Sequence, residues 1–383
     1  MPLLSTALLC RAQIVALAAI GVMIGSFAAL VPGYKAAIGA TDPQMGLALM
    51  CLPIGSILAQ YLASHAGSRL GRPHLPVAGA VMAGASLLPL AAGAPLGFAA
   101  AMFGLGVAVS FFDMSANMRI AVLENRHGRH LQNLCHAMFA FAYAAGAFGT
   151  TLARTSGLGA AEVMPWVAGV LLVMALLSDE GRGWTPGPDR RDHPTARLPW
   201  PIVLTVAAIL FLTFVCQSAN DAWSALHIER TLGAAAGQGG YGPVMFGLAL
   251  GIGRVFGQVL TARLGDVRLI RWASALAALG LAVIALAPVR EVAVAGVGLF
   301  GLGVSVLVPT VNTIMGRLVP PALAGTAISR VWMIAQGGVI LAPNLMGQVS
   351  GFFDLRVAFL VVAVFMLTVV PLSFRVERLG RQS

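Results

Sequence analysis

Twelve long apolar runs dominate this 383-residue sequence, and each is long enough to cross a lipid bilayer. In a helix, about 20 residues span the ~30 Å hydrocarbon core. Hydrophobic residues make up 58% of the chain and charged residues only 10%, whereas about a quarter of a soluble domain is charged. The sequence therefore predicts an all-α membrane protein with spans at residues 12–33, 44–65, 76–94, 97–119, 132–153, 162–178, 200–222, 241–262, 269–288, 292–316, 325–349 and 355–374.

One long polar stretch, residues 179–198, divides these spans six and six. It contains several acidic and basic side chains together with proline and glycine, as expected of a connection in water rather than in lipid. We therefore predict three parts: an N-terminal six-helix bundle over residues 1–178, a cytoplasmic linker over 179–198, and a C-terminal six-helix bundle over 199–383.

The two halves also carry a sequence repeat. The heptapeptide Phe-Gly-Leu-Gly-Val-Ala-Val at residues 103–109 matches residues 300–306 in six of seven positions, at the equivalent span. A shorter match, Arg-Leu-Gly, follows the second span at 69–71 and the eighth span at 263–265. Parallel halves of this kind are typical of transporters that bind substrate between the halves, near the middle of the membrane.

The distribution of positive charge predicts the orientation. If the N-terminus is cytoplasmic, 18 of the 24 Lys and Arg residues lie on the cytoplasmic side, as the positive-inside rule requires. The net charge of +10 is spread between apolar runs rather than gathered on one face, so no nucleic-acid partner is expected. Five cations fall on the outer side and one inside a span; the outer five are Lys35, Arg154, Arg230, Arg290 and Arg356, and the inner one is Arg254.

The loop after the second span, Ser64-His65-Ala66-Gly67-Ser68-Arg69-Leu70-Gly71-Arg72, resembles the signature of the major facilitator superfamily, Gly-x-x-x-Asp-Arg-x-Gly-Arg. Ser64 and Ser68 replace the first Gly and the Asp of that pattern. The resemblance implies the twelve-helix fold of the superfamily, in two pseudo-symmetric six-helix bundles. It also implies a conformational-loop motif made of Arg69, Gly71 and Arg72, repeated as Arg263 and Gly265.

Shorter matches are similar to the fucose-permease-like branch of that superfamily, in particular its YbjJ-type members. They are Asp113-Met114-Ser115-Ala116-Asn117, His136-Ala137-Met138-Phe139, Asn220-Asp221-Ala222-Trp223-Ser224-Ala225-Leu226 and Gly253-Arg254. The resemblance implies a secondary transporter for a small polar metabolite.

Asp113 is the clearest functional candidate, because a carboxylate inside the hydrocarbon costs several kcal/mol and is rarely kept without a role. It lies eleven residues before Glu124, about 16 Å deeper in the membrane along a helix. Ser110, Asp113 and Asn117 follow helical spacing and predict a polar stripe on one helix face. We interpret Asp113 as a proton-coupling residue. The alternatives are a fixed carboxylate that holds a cationic or polar neighbour, for which Arg254 and Arg119 are the possible partners, and a residue that binds the substrate directly.

Two further ionisable residues lie inside predicted spans. Arg254 lies about 13 Å from the cytoplasmic end of the eighth span, where a charge partner or an anionic substrate is expected. His136 is a second proton-coupling candidate, or a hydrogen-bonded histidine near the interface.

Other polar residues of the second half are weaker candidates. Asp221 and Trp223, near the outer end of the seventh span, are gating or outer-mouth candidates, with Trp223 in an interfacial aromatic belt. The alternative for Asp221 is a solvated helix end. The candidates for a substrate cavity are Ser110, Asn117, Arg254, Asn312 and Gln336. Pro53, Pro309 and Pro343 are predicted to kink their helices.

The sequence offers little to an enzyme or a primary pump. It contains no metal-protease His pair, and the one lysine, Lys35, lacks the context of a nucleotide-binding loop, so we expect no catalytic site, cofactor or metal. We predict a monomeric secondary active transporter in the bacterial inner membrane, with both termini cytoplasmic, whose partners are a small-molecule substrate, protons and the bilayer. The alternatives are a facilitative or efflux transporter without proton coupling and, more remotely, a membrane receptor or scaffold.

Overall fold

The structure is a computed structural model that describes residues 3–129, 131–181 and 198–380, except for the side chains of residues 3, 4, 60–70, 258, 259, 262, 321 and 322. All twelve predicted spans are helical. A short helix, Leu3–Leu9, precedes them. The twelve are α1 (Arg11–Ala37), α2 (Asp42–Leu70), α3 (His74–Ala91), α4 (Pro95–His127), α5 (Gln132–Thr155), α6 (Ala160–Leu177), α7 (Trp200–Leu226), α8 (Tyr241–Leu264), α9 (Asp266–Leu286), α10 (Arg290–Leu318), α11 (Pro321–Phe352) and α12 (Leu355–Gly380).

Nine of these helices are long and apolar enough to cross a membrane when only the described residues are considered. The other three are α5, α8 and α11. Amides and ionisable groups interrupt the apolar stretches of α5 and α11, and part of α8 carries undescribed side chains. The prediction of an all-α membrane protein is confirmed, and the most polar spans are helices that lie between the halves.

The packing repeats between the halves. In the first half α1 packs on α5 and α2 on α4, and in the second half the equivalent helices pair as α7 with α11 and α8 with α10. The halves meet through two further pairs, α2 with α11 and α5 with α8, which are equivalents of each other. This exchange of like contacts is what a two-fold relation between the halves requires.

Small residues bring these cross-half pairs close together. A Cβ added to Gly46 of α2 would lie 2.6 Å from the carbonyl oxygen of Pro343 in α11. A Cβ added to Gly247 of α8 would lie 2.7 Å from the backbone nitrogen of Ala144 in α5. In a membrane, where lipid is as apolar as the side chains, such close backbone contact supplies much of the attraction between helices.

The repeated heptapeptide occupies equivalent helices. Gly104 and Gly106 of α4 face α3 and α2, because their nearest neighbours are Leu88 and Leu52. Their counterparts in α10, Gly301 and Gly303, face Ala249 of α8 and Ala273 of α9. The repeat therefore packs the same helix against the same two neighbours in each half, although the two glycines exchange partners.

Three helices are broken, and each break lies about four residues before a proline. Helix α10 is interrupted at Ser305 and Val306, just before Pro309. A proline has no N–H to donate to the carbonyl four residues earlier, and its ring crowds that carbonyl. Pro89 explains in the same way why α3 is irregular after Ala85, and Pro371 explains the break of α12 at Thr368.

The predicted kink at Pro309 is thus a full break in α10. By contrast, α2 and α11 continue without interruption through the other two predicted kink sites, Pro53 and Pro343.

A buried ion pair anchors the chain where it leaves the first half. Arg119 of α4 donates from Nε to Glu180 Oε2 at 2.7 Å, and both side chains are less than a tenth exposed. Gln13 of α1 donates to the other carboxylate oxygen of Glu180 at 2.5 Å. Since Glu180 follows α6, it ties the start of the predicted linker to α1 and α4. Arg119 is therefore paired with Glu180, and the alternative in which it holds Asp113 is wrong.

We expect Glu180→Gln to lower the stability of the protein by about 3 kcal/mol, because it removes one charge of a buried ion pair. The measurement is the thermal unfolding midpoint of purified protein in one detergent. Asp179→Asn is the matched control, since Asp179 pairs with Arg72 in an exposed ion pair that contributes little. Equal destabilisation by the two variants would contradict this account.

Candidate functional site

The polar stripe of α4 faces its neighbours in the first half. Asn117 donates through Nδ2 to the carbonyl oxygen of Asp113 at 2.9 Å and to its Oδ1 at 3.1 Å. One turn before Asp113, Ser110 donates to Ser56 Oγ of α2 at 2.5 Å. The stripe therefore lies between α2 on one side and the start of α5 on the other.

Helix α5 joins this stripe through its first turns. Gln132 donates through Nε2 to Asn117 Oδ1 at 2.7 Å, and the same nitrogen lies 2.9 Å from His136 Nε2. His136 Nε2 is also 3.3 Å from Asn117 Oδ1. The start of α5 is fixed by Glu124, whose Oε1 accepts from the backbone N–H groups of Leu131 and Gln132. The structure thus brings Asp113, Asn117 and His136 into one network and adds Gln132, which the sequence did not single out.

Arg254 reaches this network from the other half. Its Nη1 donates to the carbonyl oxygen of His136 at 2.7 Å. The close approach is possible because α8 has glycine at 251, where an added Cβ would lie 2.8 Å from the Phe141 ring of α5. In the described part of the chain, Arg254 makes no ion pair. The expected pairing of Arg254 with Asp113 is therefore absent, and its partner is a neutral backbone carbonyl.

Asp113 and Arg254 each use only part of their hydrogen-bonding capacity. Asp113 Oδ2 and the Nε and Nη2 atoms of Arg254 have no hydrogen-bond partner among the described residues. They are also not among the fully buried polar atoms that lack a partner. These three atoms therefore keep some surface at which water or a small solute can bind.

A second cross-half contact joins α5 to α7. Tyr143 donates its hydroxyl hydrogen to Asp221 Oδ1 at 3.0 Å. Asp221 is therefore part of the interface between the halves and not of a solvated helix end. Trp223 is fully buried, with an indole N–H that has no described partner. The prediction that Trp223 lies in an interfacial aromatic belt is wrong, because its face of α7 points into the protein.

The remaining cavity candidates lie on α10 and α11. Trp332 of α11 donates its indole N–H to Asn312 Oδ1 at 3.1 Å and packs edge-on against Phe214 of α7, with ring centroids 5.5 Å apart. Gln336 is half-buried one turn further along α11. No described hydrogen bond joins these residues to the network around Asp113. Trp332 was not predicted, since a tryptophan in an apolar helix carries no distinctive pattern.

The two ends of the bundle differ. We call the end at which α1 begins and α6 and α12 end the linker end, and the opposite end the far end. At the far end, Arg230 donates both terminal nitrogens to the carboxylate of Asp42 at 2.6 Å. Lys35 lies 3.1 Å from the same carboxylate, and Ser350 of α11 donates to it at 2.7 Å. Asp42 thus binds groups from both halves.

A second ion pair completes this far-end seal. Arg154, at the end of α5, donates to both carboxylate oxygens of Glu229, which follows α7. Glu229 Oε1 also accepts from the backbone N–H groups of Gly237 and Gly239. Among the residues that the structure describes, every ion pair that joins the halves belongs to this seal. The linker end, over the same residues, carries ion pairs only within each half.

The predicted loop motif lies at the linker end. Gly71 and Gly265 occupy equivalent turns with φ values of 61° and 76°, a conformation that favours glycine. Arg72 donates to both oxygens of Asp179, at 3.2 and 2.8 Å, and these hydrogen bonds hold the pKa of that carboxyl at about 2, below its usual value. Arg263 is exposed. The side chain of Arg69 lies outside the described residues.

A different ion pair lies at each copy of the motif. In the first copy the superfamily's Asp is replaced by Ser68, and Arg72 instead binds Asp179, beyond α6. In the second copy, Asp266 follows Gly265 and binds Arg317 of α10. In both copies the ion pair stays within one half.

Comparisons with known proteins agree with this architecture. The sequence model of the Major Facilitator Superfamily matches residues 206–382. An uncharacterised MFS-type transporter of Yersinia pestis is 28% identical over 361 residues, covering 94% of this chain and 93% of that protein. The membrane protein MosC of Rhizobium meliloti is 24% identical over 342 residues, covering 86% and 81%.

Solved structures show the same fold at lower identity. A single-residue mutant of the nucleoside transporter NupG superposes with a TM-score of 0.75 at 13% identity, over 97% of this chain and 99% of that one. A bacterial homologue of the human lysosomal transporter Spinster, inward-facing and unoccupied, gives 0.73 at 13% identity, over 98% of each chain.

Proposed function

We propose that this chain, a membrane transporter with the major facilitator superfamily fold, carries a small solute across the bacterial inner membrane by proton-coupled alternating access. One observation carries the coupling. Asp113 is a carboxylate in the middle of α4 whose described side-chain hydrogen bond comes only from Asn117 and whose second oxygen has no described partner. A fixed structural carboxylate in a membrane would be expected to bind a cation.

The asymmetry of the two ends supports a defined state. The far end is held shut by Asp42 with Arg230 and by Arg154 with Glu229, whereas the described linker end has no ion pair between the halves. With both termini in the cytoplasm, as the charge distribution predicts, this is an inward-facing conformation. The predicted boundaries at residues 179 and 198 then make the linker a cytoplasmic connection between two moving halves.

Coupling follows from the cost of enclosing charge. When the linker end closes, the space between the halves loses water. An ionised Asp113 would then be buried with only neutral hydrogen-bond partners. A protonated Asp113 can be enclosed at much lower cost. Its described neighbours are Asn117 on its own helix, Gln132 and His136 through Asn117, and Arg254 through the carbonyl of His136. A proton therefore accompanies each closing step.

The finer assignments are parts of this proposal. We expect a monomer to suffice for transport, since both cross-half helix pairs belong to one chain. The motifs around Asp113, Asp221 and Arg254 favour the fucose-permease-like branch and a small polar solute.

The test is solute-driven proton movement. Purified protein is reconstituted into liposomes that contain a pH-sensitive dye, and metabolites are added outside without a pH gradient. We expect a transported solute to change the internal pH, with no change in protein-free liposomes. Solute entry without any proton movement would support a facilitative transporter and contradict coupling. Absence of saturable entry for every metabolite class would contradict transport.

A further inference from the structure

Arg254 is a membrane-embedded cation whose charge is not balanced by the described residues of this protein. Its described contact is one hydrogen bond to a neutral carbonyl, that of His136. Two other buried arginines show the usual arrangement, since Arg119 binds Glu180 and Arg154 binds Glu229. A guanidinium in low dielectric without a counter-charge is costly, and such groups in membranes mark substrate or ion pathways.

The unused donors of Arg254 are arranged for a ligand. A guanidinium has five N–H donors in one plane, and the carbonyl of His136 uses one of them. The nitrogens Nε and Nη2 have no described partner, and they are not among the fully buried unpaired atoms, so they remain available to a ligand. Two adjacent N–H groups of a guanidinium match the two oxygens of a carboxylate, which makes this fork the common recognition group for planar anions.

The surroundings favour an anion of single charge. Asn117, Gln132 and His136 supply neutral polar groups next to the arginine. No second cation among the described residues pairs with this network. One positive charge balances a carboxylate, whereas a phosphate ester carries up to two negative charges. The carboxylate is therefore the better match.

We propose that Arg254 binds the carboxylate group of the transported solute, which is thus a small organic acid, such as a sugar acid or a hydroxy acid. This inference rests on the proposed function and names its substrate class. It also gives a reason for coupling, because an ionised Asp113 in the same network would repel an anion. The neutral form of Asp113 and the anion therefore favour each other.

The test compares carboxylates with neutral analogues of the same shape. Three pairs of probes are added to purified protein: gluconate with glucitol, galacturonate with galactose, and lactate with propane-1,2-diol. Binding is measured by the shift of the thermal unfolding midpoint and by calorimetry. We expect at least one carboxylate to bind and its neutral partner to bind at least about tenfold more weakly, the value of one charge-assisted hydrogen bond.

Variants assign the effect to the arginine. Arg254→Gln should weaken binding of that carboxylate at least about tenfold, and Arg254→Lys should weaken it less, because it keeps the charge but not the planar fork. Arg375→Gln, which removes an exposed cation of α12, should bind as the unaltered protein does. The unfolding midpoints without ligand show whether each variant is folded.

Three results would overturn the proposal: equal binding of both members in every pair, unchanged carboxylate binding by Arg254→Gln, or no binding of any carboxylate. The proposed function fails in a different way. If a neutral metabolite drives proton movement in liposomes, transport stands and only the substrate class is wrong. If no solute of any charge enters, both are wrong.

Discussion

Replacing Asp113 by Asn is expected to abolish uphill uptake while leaving exchange of solute across the membrane intact. Asparagine keeps the shape and the hydrogen bond from Asn117, but it cannot gain or lose a proton. Because it resembles the protonated form, the linker end can still close. A gradient of one pH unit is worth about 1.4 kcal/mol and sustains up to about tenfold accumulation if one proton accompanies each solute. In the variant the inside and outside concentrations should become equal.

The measurement uses liposomes with an imposed pH gradient and a radiolabelled solute. Accumulation is measured first, and counterflow is then measured without a gradient. Asp354→Asn is the matched control, since Asp354 caps α12 at the far end through a side-chain oxygen that asparagine also provides. Accumulation by Asp113→Asn equal to that of the control would remove Asp113 from the coupling role. Loss of both accumulation and counterflow would indicate that Asp113 binds the solute directly.

Replacing Asp42 by Asn is expected to open the far-end seal. The change removes the negative charge that binds Arg230 and Lys35, while Ser350 can still bond to the amide. Because Arg230 is partly exposed, we expect the closed far end to lose about 2 kcal/mol of stability, which is less than the loss of a fully buried ion pair would cost. This corresponds to roughly a thirtyfold shift toward the open far end.

Labelling of a buried far-end residue measures this shift. Thr151 is fully buried, and its hydroxyl lies where a Cβ on Gly240 would be, so Thr151→Cys reports on separation of α5 from the start of α8. In a background without the four native cysteines, a membrane-impermeant maleimide should label this site at least about tenfold faster when Asp42→Asn is present. Asp354→Asn should leave the rate unchanged. Equal rates in all three proteins would contradict a sealing role for Asp42.

The sequence predicts the features that depend on local patterns. Apolar runs in the sequence locate the twelve spans, although α5, α8 and α11 are not among the nine that are apolar enough over the described residues. Helical spacing places Ser110, Asp113 and Asn117 on one face of α4. Glu124 marks the end of α4 because its carboxylate holds the first N–H groups of α5. These inferences need only the helical period and the cost of polar groups in lipid.

Long-range partners could not be predicted in this way. Asp42 and Arg230 are 188 residues apart, and neither has a local signature that names the other. Arg119 is a candidate partner of Asp113 because both lie in the fourth span, but Glu180, in the predicted linker, is its partner. Trp223 was misplaced for a related reason, since a helix that is apolar on all faces does not reveal which face is buried.

In this mechanism the two ends open in opposition, and the proton on Asp113 selects between them. Paired distance measurements by electron spin resonance test it most directly, with one label pair at each end. Exposed positions suit both pairs: Ala37 with Ala236 at the far end, and His127 with Gly316 at the linker end. We predict that Asp113→Asn lengthens the far-end distance and shortens the linker-end distance relative to the unaltered protein at alkaline pH. Unchanged distances, or changes of the same sign at both ends, would contradict the account.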